Sequence, residues 1–203
     1  MHEVDIEGRA NQKRRTRQAL IDAALALREE GHDPTFAEVA KRALVSRATA
    51  YRYFSSVEAL VSETAAERAM QPLEYIYRPG DDPVEAIGRA AREINKIMLD
   101  DEVGLHVMER SFMAMWLDNE RDSRPPRPGR RMKYILPIVD ALKDELPPAA
   151  RQRLIHTLSM VMGTEAVLAV RDIAGASIDE AIAAGIWAAQ ALVKQARAEA
   201  DEA

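Results

Sequence analysis

Five side chains crowd into seven consecutive positions: Arg47, Thr49, Tyr51, Arg52 and Tyr53. Their shared chemistry is hydrogen-bond donation. A guanidinium can pair in parallel with O6 and N7 of a guanine, and a threonine can meet a thymine methyl or a phosphate. Phenolic hydroxyls can donate to phosphate oxygens, which fixes position without reading a base. In this cluster Arg47 is the candidate base reader, and Tyr51 and Tyr53 are candidate phosphate contacts.

Short helices must position these groups. Phe36, Val39, Ala40 and Ala43 share one face of a helix expected over Phe36–Ala43. Leu44-Val45 makes a tight connection, and the Ser46 hydroxyl caps a second helix over about Arg47–Phe54. In that helix Ala50 and Phe54 stand four residues apart and can pack inward, leaving Arg47, Thr49, Tyr51, Arg52 and Tyr53 outward. Two short helices joined by a few residues, the second carrying polar and basic groups, form a helix-turn-helix that fits a major groove. Thr35, with the N–H groups of the helix it opens, is a further candidate phosphate site. Lys13, Arg14, Arg15 and Arg17 lead into a first helix over about Asn11–Glu30 and can contact a backbone or a minor groove. The candidate DNA contacts are therefore Lys13, Arg14, Arg17, Thr35, Ser46, Arg47, Ala48, Thr49, Tyr51, Arg52 and Tyr53.

From here the chain resembles the TetR family of bacterial regulators. The resemblance runs through Thr16-Arg17, Leu20-Ile21-Asp22-Ala23-Ala24-Leu25 and Gly31-His32-Asp33-Pro34-Thr35. It continues through Glu38-Val39-Ala40-Lys41-Arg42-Ala43, Val45-Ser46, Thr49, Tyr51-Arg52-Tyr53-Phe54 and Glu58-Ala59-Leu60. The chain departs twice: Leu44 stands where the family has glycine in the turn, and Val57 where it has lysine. The first departure is costly if the turn needs a positive φ, and the second removes one phosphate contact. The resemblance implies dimerisation through the last two long helices and a small-molecule inducer held in the body.

The rest of the chain is also patterned for helix. Capping boxes start at Thr35, Ser55, Asp82 and Ser177, and Gly31, Gly80 and Gly175 fall where helices should stop. Further helices are expected over Ser56–Gln71 and near 83–100, 103–119, 130–146, 148–174 and 178–200, with a kink or restart at Pro137. The proline- and arginine-rich Asn119–Arg130 reads as a loop; its arginines can either meet an acidic partner or simply be solvated. No strand alternation or internal repeat interrupts this pattern. The expected fold is all-α with about nine helices: a three-helix helix-turn-helix domain over 9–55, then a helical ligand-binding and dimerisation domain over 56–203. Ser56–Gln71 is expected to be the connector between them.

In the body, Ala181, Ala184, Gly185 and Ala188 recur at helical spacing, and Gly163 and Ala166 offer small surfaces on the preceding helix. Small residues let helix axes approach, either between subunits of a homodimer or within one chain. Met98, Met108, Phe112, Met113, Trp116 and Tyr134 are soft apolar side chains suited either to an adaptable ligand pocket or to core filling. His106, Glu109, His156 and Glu165 have no partner that spacing identifies.

Composition narrows the classes. The chain has no cysteine, which excludes disulfides, thiolate metal sites and thiol redox sensing. Its net charge of −5 hides an asymmetry, because residues 9–54 carry +5 and residues 55–203 carry −7. No phosphate-binding glycine loop, nucleophile elbow or paired metal-binding histidines occur, so no catalytic role, cofactor or metal is expected. No stretch reaches the apolar length of a membrane span, so a cytoplasmic location is expected. The reading is a DNA-binding regulator acting as a homodimer on a double-stranded palindromic operator and released by a small molecule. An adaptor that uses the helix-turn-helix for protein contacts, or a helical enzyme, are the alternatives.

Overall fold

In the computed structural model every described element is helical, with no strand among the described residues. The structure describes residues 2–118 and 129–201, and their side chains other than those of 2–10, 115 and 118. The loop expected over 119–130 therefore lies outside the described residues except for Gly129 and Arg130.

The N-terminal helices begin and end for local reasons. α1 (His2–Glu29) stops where Gly31 adopts φ +83°, and the His32 N–H closes back on the Leu27 carbonyl. α2 (Phe36–Arg42) opens on a complete capping box: Thr35 accepts from the Glu38 N–H, and the Glu38 carboxylate accepts from the Thr35 N–H. That carboxylate is held below its ordinary pKa, first by the Thr35 hydroxyl and then by the Thr35 N–H. α3 (Arg47–Tyr53) is capped by Ser46, which accepts from the Thr49 N–H at 3.0 Å. α4 (Val57–Ala69) follows with the Ser56 hydroxyl bonded to the Ala59 N–H.

Beyond them lie the four-residue α5 (Leu73–Ile76), α6 (Pro83–Leu99) and α7 (Glu102–Asp118). α8 (Met132–Asp140) runs through Pro137 and ends in turns, well short of the expected residue 146. The long helix expected over 148–174 is broken. α9 (Pro148–Val161) stops at Met162, Gly163 takes φ +101°, and α10 (Thr164–Leu168) restarts and widens into a π-helical turn over Ala169–Ile173. Arg131 accounts for the break. Its guanidinium donates to the freed Ser159 and Met162 carbonyls and pairs with Glu165, capping the interrupted helix from the side. α11 (Ile178–Asp201) closes the chain behind a Ser177–Glu180 capping box.

Two compact units result, divided otherwise than at residue 55. The head comprises Met1–Arg68 with Val103–Pro128, and the body Ala69–Glu102 with Gly129–Ala203. The chain thus crosses between units at three places, so Ser56–Gln71 is not the sole connector. The head's core is a cluster of Leu20, Ile21, Ala24, Leu27, Phe36, Val39, Ala50, Phe54 and Leu60. The body's core is built on α6, whose Ile87, Ala90, Ala91 and Ile94 pack among Ile135, Ile138, Leu142, Leu158, Ala189 and Val193. Tyr134 belongs to that core, and its hydroxyl donates to the Gln71 carbonyl at 2.6 Å.

Candidate nucleic-acid interface

α3 keeps one face in the head's core and presents the other. Ala50 and Phe54 are buried as their spacing predicts, while Ser46, Arg47, Ala48, Tyr51 and Arg52 are exposed and Thr49 is half-buried. Tyr53 is the exception. It is 7% exposed, and its ring belongs to the core cluster, so the expectation that α3 offers it to solvent is corrected. Its spacing from Ala50 and Phe54 places it on the edge of the buried face, which an i, i+4 reading alone does not reveal.

Tyr51 organises the outward face. Its ring packs on Phe36 of α2 with centroids 4.3 Å apart, and Arg47 lies over the same ring at 5.7 Å. Arg47 also donates to the Tyr51 hydroxyl at 3.4 Å. The core thus holds Tyr51, and Tyr51 steadies Arg47, the arginine expected to read a base. Ser46 meets Thr49 twice, through the Thr49 N–H and through a hydroxyl pair at 2.8 Å.

The turn before α3 carries the chain's one non-glycine residue of positive φ among the described residues. Leu44 has φ +56° and is 93% exposed. The Val45 N–H bonds the Ala40 carbonyl and the Leu44 N–H bonds the Lys41 carbonyl, so the left-handed residue closes α2 as a glycine would. A leucine there packs against nothing and bears the strain of its Cβ, of order 1–2 kcal/mol.

The remaining candidates divide. Arg14 is exposed and bonded to Asn11, and Lys13 is half-buried. Thr35 is committed to its capping box, whose carboxylate stands where an anion at the start of α2 would sit. Arg17 is not on the surface at all. It is buried against Glu63, so its assignment as a DNA contact is corrected. Glu63 was invisible to sequence reasoning, because no local spacing links residues 46 apart. Arg42 pairs with Glu30 through two bonds of 2.7 and 2.9 Å, which lower the Glu30 pKa and raise that of Arg42.

The six candidates for ligand contact divide between the two units. Met98 and Tyr134 are buried within the body, whereas Met108, Phe112, Met113 and Trp116 belong to the head unit. Met108 is buried there, Phe112 is half-buried, and Met113 and Trp116 are exposed. A groove of about 370 Å³ opens elsewhere in the body, lined by Asn95, Met160, Ala166, Val170, Ala184 and Trp187 among others. Four of the six candidate interface residues share its walls or floor besides Ala166 itself: Ala181, Ala184, Gly185 and Ala188.

Gly163 does not line that groove. It is buried at the helix break, where a Cβ would stand 3.1 Å from the Arg131 guanidinium, so its smallness serves the body's own packing. Gly185 does both. A Cβ there would lie 2.1 Å from Asn95 Nδ2, and Asn95 Oδ1 accepts from the Gly163 N–H. Trp187, 74% exposed, stands at the rim with Met160.

No single described helix is long and apolar enough to cross a membrane. Residues 20–64 match the family model described as bacterial regulatory proteins, tetR family. The chain is also 35% identical over 114 residues to the HTH-type transcriptional repressor KstR of Rhodococcus jostii (strain RHA1). That match covers 55% of this chain and 53% of the relative, so the chain spans about half the length of the curated relative.

Proposed function

We propose that the chain, whose residues 20–64 match the tetR family model, is a transcriptional repressor with that family's N-terminal helix-turn-helix. In this reading it binds double-stranded DNA as a homodimer in the cytoplasm. Proteins of this family are DNA-binding transcription factors rather than enzymes. The observation that carries the reading is the outward face of α3, where a core-anchored Tyr51 holds Arg47 beside exposed Ala48 and Arg52.

Each α3 would enter a major groove. Arg47 would read a guanine, Thr49 and Tyr51 would contact a thymine methyl or phosphates, and Arg14 and Arg52 would add charge along the backbone. Selection of fragments from genomic DNA by the purified chain, at two salt concentrations, tests this. A recovered palindrome whose binding falls steeply with salt is the expected result. Salt-insensitive binding to a protein, with no DNA recovered, would favour the adaptor reading instead.

The face of Ala166, Ala184, Gly185 and Ala188, with the buried Ala181 beneath it, is the homodimer surface in this proposal. Its small residues permit close helix approach, and the exposed Trp187 and Met160 supply apolar area to cover. Ala184→Glu should leave the monomer folded, because that residue is exposed, and should convert the dimer to monomer in sedimentation equilibrium. Release by a small-molecule inducer is part of the same proposal. The inducer must prefer the conformation that does not bind DNA, since equal affinity for both would shift nothing.

A further inference from the structure

The head buries an ion pair that DNA contact does not use. Arg17 is 4% exposed and Glu63 1%, and two guanidinium nitrogens of Arg17 donate to the two carboxylate oxygens of Glu63. The guanidinium carbon lies 4.5 Å from the centroid of the Phe54 ring and 5.4 Å from that of Phe112. One residue along from each ring, the Ser111 hydroxyl accepts from the Ser55 N–H at 3.4 Å and from the Ser55 hydroxyl at 2.7 Å. Four segments therefore meet at one node: α1, the end of α3, α4 and α7.

A buried ion pair contributes little net stability, because desolvation offsets its attraction; what it can supply is a unique geometry. That geometry matters here. α3 has only seven residues, and Phe54, its C-cap, is extended at φ −140° and ψ 126°. Ser46 caps the start of α3, and at its far end the Phe54 N–H still bonds the Ala50 carbonyl before the chain turns extended. Beyond that bond and the packing of the Phe54 ring in the head's core, residues 54 and 55 also meet the Arg17 guanidinium and the Ser111 hydroxyl.

We propose that the Arg17–Glu63 pair, clasped by Phe54 and Phe112 and flanked by the Ser55–Ser111 bonds, sets the attitude of α3 on α7. Arg17 is then a positioning residue for base reading and not a phosphate contact. The inference rests on the reading that the head binds DNA. Base-edge hydrogen bonds tolerate little misplacement, whereas phosphate contacts made by long flexible side chains tolerate more. Loosening the node should therefore cost sequence-specific binding while sparing non-specific binding.

The test uses the full chain with two DNA probes, a fragment recovered by selection and a random-sequence duplex of equal length, each titrated across salt. Three variants are compared: Arg17→Met, Glu63→Gln and Ser111→Ala. Each should weaken binding to the selected fragment, by about tenfold for the buried pair, the scale of one lost base contact. Random-duplex affinity and the salt slope should not move. Glu63→Gln is the sharpest arm, since removing a negative charge would by electrostatics alone tighten binding to both probes. Ser111→Ala removes only neutral hydrogen bonds, so it carries the test where a variant of the buried pair does not fold.

A salt slope that falls by about one in Arg17→Met would mean a lost phosphate contact and would overturn the proposal. Equal losses on both probes, or wild-type discrimination in Ser111→Ala, would overturn it too. A wild-type chain that prefers no sequence would defeat the DNA reading itself, and this inference with it.

Discussion

The head and the body are both helical and both close around apolar cores, yet they use small residues and polar caps for different ends. In the head, every short helix that bears on α3 starts on a local cap: Thr35 with Glu38, Ser46 with Thr49, Ser56 with Ala59. The result is a presented surface whose side chains point outward from a fixed frame. In the body, the polar groups join segments distant in sequence, as when Arg131 caps α9 and Asn95 receives the Gly163 N–H. There glycines are spaces for someone else's side chain. The starts of the head's helices are thus specified by near neighbours, with Arg17–Glu63 and Ser55–Ser111 as its far contacts, while the body's break and packing are specified by far ones.

The largest expected effect comes from removing the side chain the head's core shares with its node. Phe54→Ala should cost about 3–5 kcal/mol and unfold the head at lower denaturant than the body, giving two transitions where unfolding is followed by circular dichroism. A single unshifted transition would mean that the two units do not have separate cores. Gly185→Ala is the body's counterpart. Its methyl would have to displace the Asn95 carboxamide, so a loss of about 1–3 kcal/mol is expected in the body's transition alone.

Smaller effects sharpen the contrast. Ser46→Ala should lower head stability by about 0.5–2 kcal/mol, read as a shift in the denaturation midpoint, because the Thr49 N–H loses its acceptor. Leu44→Gly should go the other way. It relieves a left-handed leucine that packs against nothing, so the head should gain up to about 1–2 kcal/mol, less glycine's entropy in the unfolded chain. Acid completes the series. The Glu30 and Glu38 carboxyls have lowered pKa values, so their contribution is present above the ordinary carboxylate range and lost as pH falls through the folded values. Glu38→Gln should flatten the head's acid unfolding curve in that window.

This contrast also explains what the sequence disclosed. The helix-turn-helix was legible because its signals are local: Thr35 and Glu38 three apart, Ser46 beside Arg47, Ala50 and Phe54 four apart. Leu44 was legible as an oddity, and its φ shows why glycine suits that turn. Composition places Arg17 with the other basic residues, while its partner Glu63 sits on a different helix, so no local pattern shows that it is buried. Tyr53 departs from expectation for a smaller reason: at the margin of a buried stripe, about one-third of a turn decides whether a ring faces solvent or core. In the body, the break at Gly163 needed Arg131, 32 residues away in sequence, and no periodicity announces such a cap. The division of Met98 and Tyr134 from Met108, Phe112, Met113 and Trp116 between the two units has the same origin, since soft apolar residues mark interiors without saying which one.

The central claim is that α3 reads base edges through Arg47 on a frame held by Tyr51. The most direct measurement is the affinity of the wild-type chain and of Arg47→Ala for a selected fragment and for random DNA, across salt. The account predicts a loss of about 1–3 kcal/mol on the selected fragment, with relaxed preference at one base pair and little change on random DNA. Equal losses on both DNAs would make Arg47 a backbone contact and contradict the account.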